Sequence, residues 1–470
     1  VLNHPEWSVA PDRSPFIYGK HSRPLGLVLD DVSVDATPAV ALLEAFGNRD
    51  SAHLYSTDSP RSGGRVTLRD PVRDGYVIPA ELEDPSGSVV VGIPAAGSLH
   101  NQATLMAQEH PGTDAGALER VLQLMNLSRT CDLLDGLVLG ERVIQQPALK
   151  GNFRAEILTP EQAVALLGLN LRAHGDFVVS RDATTTYFLG AESFYRAVTF
   201  SHIEPLAVWL PAAASAWHAG NERPSALVDG VATRTGRALR ARDYLQVRMR
   251  AADFHAVWDE VLFFFDVVLI HVMGAFDLLA RLLHDVYGLD GLARHASWRA
   301  DKWLKKLRHA DAELGVRASP GGSLSDVIYL VAELRNFVHD APLSQEIRKA
   351  QGIPEIMSWG RGLVALTPDD RVQEMIRAAS RHGGLLAWGI SDRTSDGAVL
   401  LDPGRFAEQA LRASTTAISD LLATADLERL PGAGGSTAAT WIPEPTYREN
   451  SRLLFGLQPG GLREERLTAA

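Results

Sequence analysis

The chain has 470 residues and a formal charge of −11 at pH 7, too long for one ordinary core and too acidic to coat nucleic acid over its whole surface. A local basic groove stays open, because salt limits the reach of each surface charge to about 10 Å. The single cysteine, Cys131, excludes an internal disulfide and a cysteine-built zinc site, and it fits a reducing compartment.

The first fifteen residues, "VLNHPEWSVAPDRSP", carry no basic-then-apolar signal pattern, so a cytoplasmic location is expected. Residues 1–110 read as an α+β domain with no assignable role. "PLGLVLDDVSV", "GRVTLRD", "GYVIPAEL" and "SVVVGIPAAG" are short apolar runs punctuated by Gly, Pro, Asp and Ser, the pattern of strands. "TPAVALLEAFGN" is a helix among them, ending near Gly47 and Asn48.

Residues 111–224 change to a helical period and read as a helical linker domain. "LTPEQAVALLGLNLRAHGDF" has a defined start: Thr159 as N-cap, Pro160 in the first position, Gln162 closing a capping box. The longest helical signal runs from about Ser225 to Tyr287 and must break within that span. Its segment "VLFFFDVVLIHVMGAFDLLA" is long enough to cross a bilayer. Asp266, His271 and Asp277 interrupt it, so a buried helix of a soluble bundle is the expectation, with no membrane association. "WRADKWLKKLRHADAEL" and "SLSDVIYLVAELRNFVHD" are further helices, the second with Ser323 and Asp326 in capping positions. Residues 225–342 therefore form a helical bundle. Residues 343–402 read as a small α+β element with strands "GLVAL", "LLAWGI" and "AVLL"; 403–430 are a last long helix, and 431–470 an irregular tail. The fold class expected is a multidomain, predominantly α, α+β protein.

GxxxxGK[ST], HExxH, GxSxG and a strand-to-helix GxGxxG are all missing. The histidines do not pair at ligand spacing, so neither a metal nor a cofactor is expected. What stands out is "AELRNFVHD" at 332–340. On a helix of about 100° per residue, Arg335 and His339 emerge roughly 40° apart at the edge of the face built by Val327, Val331, Leu334 and Val338. Glu333, Asn336 and Asp340 lie opposite. A His there can move the proton of a ribose 2′-hydroxyl, and an Arg can stabilise extra charge on a phosphorane-like transition state. The plainer reading is a cationic helix end that complements the dipole.

A helical domain carrying a late "LRNFVH" resembles the HEPN superfamily, whose ribonuclease members are built on a small helical bundle. Three residues separate Arg335 from His339, fewer than the family pattern has. The resemblance covers roughly 225–342. It implies metal-independent RNA cleavage at a site shared across a homodimer or larger homo-oligomer, with Arg335 and His339 catalytic and Asn336 as polar neighbour. A toxin or defence effector restrained by a regulatory partner protein fits it, as does a non-catalytic HEPN-like scaffold.

His255, Asp259, Asp266, Asp277 and His284 fall in a narrow band if one helix carries them. That stripe is either the helix's solvated side or a supporting face for Arg335 and His339, with Asp277 as the residue that orients the His or pairs with the Arg. Two basic clusters flank it. Arg237, Arg240 and Arg248 lie in one; Lys302, Lys305 and Lys306 lie between Trp298 and Trp303 or just after them in the other. Basic residues with aromatic neighbours suit single-stranded RNA, and they equally suit a solvated helix whose tryptophans pack inward. A small-molecule enzyme using residues 1–110 is a third reading, unsupported by any motif.

Overall fold

A computed structural model describes residues 24–57, 64–68, 77–84, 87–94, 96–130, 134–146, 148, 157–181, 185–249, 257–319, 321–340, 364–366, 369–391, 399–430, 432 and 444–457. The chain is multidomain and predominantly α, as expected. Its contacts divide it into two units: Val1–Phe188 with Arg250–Ala252 and Leu453–Gly456, and Leu189–Met249 with Asp253–Arg452 and Leu457–Ala470. The six segments read from the sequence divide the chain differently: the 111–224 segment runs across the boundary at Phe188 and Leu189.

The first unit is built on a sheet. β1 (Leu25–Leu29) leads through α1 (Pro38–Phe46) and the short β2 (Asn48–Arg49) to β3 (Ala52–Ser56), β4 (Gly64–Leu68), β5 (Val77–Asp84) and β6 (Gly87–Pro94). α2 (Ala96–Glu109) and α3 (Ala115–Thr130) return the chain to β7 (Gly136–Val138), α4 (Glu141–Ile144), β8 (Ile157–Leu158) and α5 (Pro160–Ala173). The strand order is β6-β5-β4-β3-β1-β7-β8. β4, β3, β1, β7 and β8 run parallel, and β5 and β6 form an antiparallel hairpin at the β4 edge. Val28, Tyr55, Val66 and Leu137 pack with Leu118, Leu122 and Met125 of α3 in one core. The alternate residues Leu27, Leu29 and Leu54 are buried on the other side of the pleat, where α1 and α5 pack. The antiparallel pair β9 (Val178–Ser180) and β10 (Thr186–Phe188) completes the unit.

The capping box of Thr159 and Gln162 opens α5 as read from the sequence. Four strands, β7 to β10, lie inside the stretch read as helical. β7 and β8 have three and two residues. An apolar run that short shows no alternation, so periodicity does not separate it from a buried helix.

The second unit is helical: α6 (Ala191–His202), α7 (Leu206–His218), α8 (Glu222–Arg248), α9 (Trp258–Val286), α10 (Asp301–Ala310), α11 (Ala312–Arg317), α12 (Ser323–Asp340), α13 (Asp370–Arg381), α14 (Pro403–Thr424) and α15 (Pro445–Phe455), whose last three residues group with the first unit. The break inside the long helical signal falls between Arg248 and Trp258. α9 is central. Phe265, Val268, Leu269, Phe276, Leu279 and Leu283 are fully buried along it, and α8, α12 and α14 pack around it. Phe265 meets Phe406 of α14 edge-on at 5.9 Å. Gly230 lets α8 approach closely, since a Cβ there would lie 2.8 Å from Leu278. Among the described residues α9 alone is long and apolar enough to span a membrane.

Several readings need correction. Asp326 does not cap α12: the helix starts from Gly322, whose carbonyl receives the Asp326 N–H. The Asp326 carboxylate instead accepts from both Arg381 and His382, at 2.7–2.8 Å. "LLAWGI" is a series of turns with a single bridge at Ile390, since Gly383, Gly384 and Gly389 all take positive φ. β11 (Val364–Leu366) and β12 (Val399–Leu401) do pair as strands. The tail is not wholly irregular, because α15 forms within it and buries Tyr447, Leu454 and Phe455.

Candidate functional site

The residues singled out on the sequence lie on α8, α9, α10 and α12. Arg335 is half-buried on α12. Its Nη2 donates to Asn336 Oδ1 at 3.1 Å. Its Nε is buried with no partner among the described residues. The side chain of His339 lies outside the described residues, as does all of His255. Glu333 is not on a solvated face: it is buried and accepts from Arg299 at 2.7 Å.

Asp277 on α9 stands within the field of Arg335. Burial pushes its carboxyl pKa up, and Arg281, Arg335 and Arg234 pull it back, so charges carried by three helices act on one carboxylate. Arg234 of α8 lies against α9 at Gly274, where a Cβ would sit 2.9 Å from Nη1 and 3.1 Å from Cζ. The Nε of Arg281, like that of Arg335, is buried without a described partner. One turn before Gly274, His271 is held below the usual imidazole range by burial first and then by Arg234 and Arg237. Its Nδ1 has no described hydrogen-bond partner.

His271, Gly274, Asp277 and Arg281 step by three, three and four residues, which places them on one face of α9. The wider polar stripe does not hold together. Asp259 is exposed and His284 is buried, so the two ends face different surroundings. Asp277 and Arg335 were visible in the sequence; Arg234, Arg281 and His271 carry signals there only as helix-face neighbours of Arg237 and Asp277.

The flanking basic residues divide. Arg237 and Arg240 are exposed on α8, and Arg240 is bonded to the Tyr244 hydroxyl at 3.0 Å. Arg248 is engaged with Glu260 at 2.8 Å and lies over the rings of Tyr244 and Phe264. Lys302, Lys305 and Lys306 line the exposed side of α10, and Lys306 donates to the Asp290 carbonyl. Trp298 and Trp303 pack edge-to-face in the core, and Trp298 donates to the Phe276 carbonyl, so neither ring is open to a nucleobase.

The first unit holds a second polar cluster. Asp30 and Asp31 follow β1, Ser56 ends β3 and Thr57 follows it. Arg120 of α3 donates to Asp30 at 2.8 Å and to Thr57 at 3.0 Å, and Ser56 donates to Asp31. The cluster sits at the carboxyl ends of parallel strands. There the chain reverses direction across the sheet, going from β1 to β3 and later returning to β7 on the other side. No group of three metal-ligating side chains occurs among the described residues. No family model, curated protein or solved structure matches the chain.

Proposed function

We propose that the helical unit is a HEPN-like, metal-independent endoribonuclease. The observation that carries this reading is the placement of Arg335, half-buried on α12, in the field of Asp277 on α9. Arg335 stabilises the charge that develops on a phosphodiester under attack, and His339, four residues on, moves the proton of the 2′-hydroxyl. Asn336 holds the Arg335 fork through the bond it accepts. Asp277 sets the orientation of the pair from the facing helix. Arg237 and Arg240, and Lys302, Lys305 and Lys306, offer exposed charge for the RNA backbone. Arg248, tied to Glu260, is the weakest of that group. The enzyme acts as a homodimer or larger homo-oligomer in the cytoplasm, in a defence or toxin role held in check by a partner.

RNA incubated with the full chain in EDTA is expected to yield 2′,3′-cyclic phosphate ends, and His339→Ala is expected to abolish them. Equal cleavage by that variant removes the reading.

The non-catalytic scaffold draws support from the same Arg335–Asn336 bond, which is also what an internal brace looks like. Under that reading Arg335→Ala lowers the melting temperature or the oligomer mass, and no RNA is cut.

A further inference from the structure

We propose that Arg234, Arg281 and Arg335, carried by α8, α9 and α12, form a binding site for a phosphate group. Capture of the anion stands on the charge balance described here. Only the identity of the phosphate's carrier, an RNA backbone, rests on the ribonuclease reading.

Gly274 holds the Arg234 guanidinium against α9, Gly274, Asp277 and Arg281 share one face of that helix, and the charges of Arg281, Arg335 and Arg234 all act on the Asp277 carboxylate. No described acid is in salt-bridge contact with any of the three. A half-buried set of cations with a surplus of positive charge is costly, because each has lost part of its water shell and gained like-charged neighbours. An arriving oxyanion relieves both penalties. The donors suit that task. The Nε atoms of Arg281 and Arg335 are buried with no described acceptor, and planar guanidinium forks match phosphate oxygens two at a time.

Gly274 gives the site its floor. A side chain at this position would contact the Arg234 guanidinium, so glycine lets Arg234 lie flat across α9 toward Asp277. Arg237 is exposed beside it and adds to the field. His271 is one turn away with an open ring nitrogen, in range of the same two α8 arginines.

Several arginines elsewhere in this unit find acids. Arg242, Arg248, Arg299 and Arg381 each meet a carboxylate within 2.8 Å. The three-helix cluster departs from that pattern.

The test is a titration of the full chain with inorganic phosphate, and separately with a short single-stranded RNA lacking terminal phosphates, followed by melting temperature and calorimetry. The wild type is expected to be stabilised by phosphate. Arg281→Gln and Arg234→Gln should each weaken phosphate binding about tenfold, the loss of one charge-assisted contact. Asp277→Asn removes the one repelling charge and should bind phosphate more tightly than wild type, a gain that a misfolded variant does not give. Parallel losses for RNA identify a nucleic-acid backbone as the carrier, and losses for phosphate alone identify a small phosphorylated molecule. Wild-type protein indifferent to both, or unchanged binding in the two arginine variants together with no gain in Asp277→Asn, overturns the site. RNA cleavage plays no part in these readouts, so an inactive enzyme with an intact phosphate response separates failure of the nuclease reading from failure of the site.

Discussion

α8 carries two arginine clusters eight residues apart, and they are built on opposite principles. Around Arg242 the charges close. Its Nη1 meets Asp243 at 2.8 Å, its Nε meets Glu408 of α14 at 2.6 Å, and Tyr195 of α6 donates to the other Asp243 oxygen at 2.9 Å. Everything in that group is buried or nearly so, and the cation is outnumbered by acids. Around Arg234 the charges stay open: among the described residues no ion pair closes on Arg234, Arg281 or Arg335, and the Nε atoms of Arg281 and Arg335 are left without described acceptors. The first arrangement joins three helices as an internal brace. The second leaves attraction unspent, which is what a site for an anionic ligand requires.

Removing a member of each cluster should therefore have different consequences. Arg242→Met leaves Asp243 and Glu408 facing each other without their cation, and a loss of about 3–5 kcal/mol is expected in a urea unfolding curve. A change below about 1 kcal/mol would show that the brace is dispensable.

The same contrast holds between His202 and His271, whose Nδ1 has no described hydrogen-bond partner. His202 is fully buried, with Nδ1 at 2.8 Å from the Val198 carbonyl and Nε2 at 2.7 Å from that of Leu457. Burial pushes its pKa down and outweighs the two carbonyls, which favour the protonated ring, so that it lies at about 4. The unfolded chain takes up this proton near pH 6.5, while the folded chain resists until about pH 4. Stability contributed by the neutral ring is thus complete above pH 6.5 and falls as the pH drops toward 4, by roughly 3 kcal/mol in all. Chemical denaturation across that window should show this slope, and His202→Gln should flatten it. An unchanged slope in the variant would assign the pH dependence elsewhere.

Asp326 anchors a smaller brace, accepting from Arg381 and His382; burial pushes its carboxyl up, and these two partners together outweigh that and hold it below the usual range. Asp326→Asn is expected to cost about 2 kcal/mol, since its partners keep a weaker acceptor. Its melting temperature should fall clearly below that of the wild type; no shift would contradict the bond's role.

Smallest of all is the predicted effect of Arg281→Gln in phosphate-free buffer. Removing one unbalanced cation should leave stability within about 0.5 kcal/mol of wild type, or raise it. A loss as large as that of Arg242→Met would make the two clusters alike and sink the contrast.

Much of the fold was legible where local chemistry decides it. The Thr159–Pro160–Gln162 start of α5 and the strands β1, β4, β5 and β6 all follow from local side-chain pattern. Pairing was not legible. Nothing in the spacing of β1, β3 and β7 announces that they lie parallel with β1 between the others, because that order is set by the helices that cross between them. Trp388 lies within "LLAWGI", whose apolar letters imitate a strand; the burial of its indole and its bond to the His382 carbonyl belong to turns.

The site divides in the same way. Helix periodicity alone places Arg335 at a core boundary and offers Asp277 as a facing acid. The neighbouring arginines were out of reach, because Arg234 comes to lie on α9 at Gly274 only through the register of α8 on α9, whose close approach Gly230 and Gly274 permit. Periodicity along one helix carries no information about that register.

The most direct test is the rate at which the full chain cuts a labelled single-stranded RNA in EDTA, measured for wild type and for Arg335→Ala side by side. Metal-free cleavage by the wild type is expected, with a fall of about a hundredfold or more in the variant and an Arg335→Ala melting curve close to wild type. Equal rates for the two proteins would contradict a catalytic Arg335.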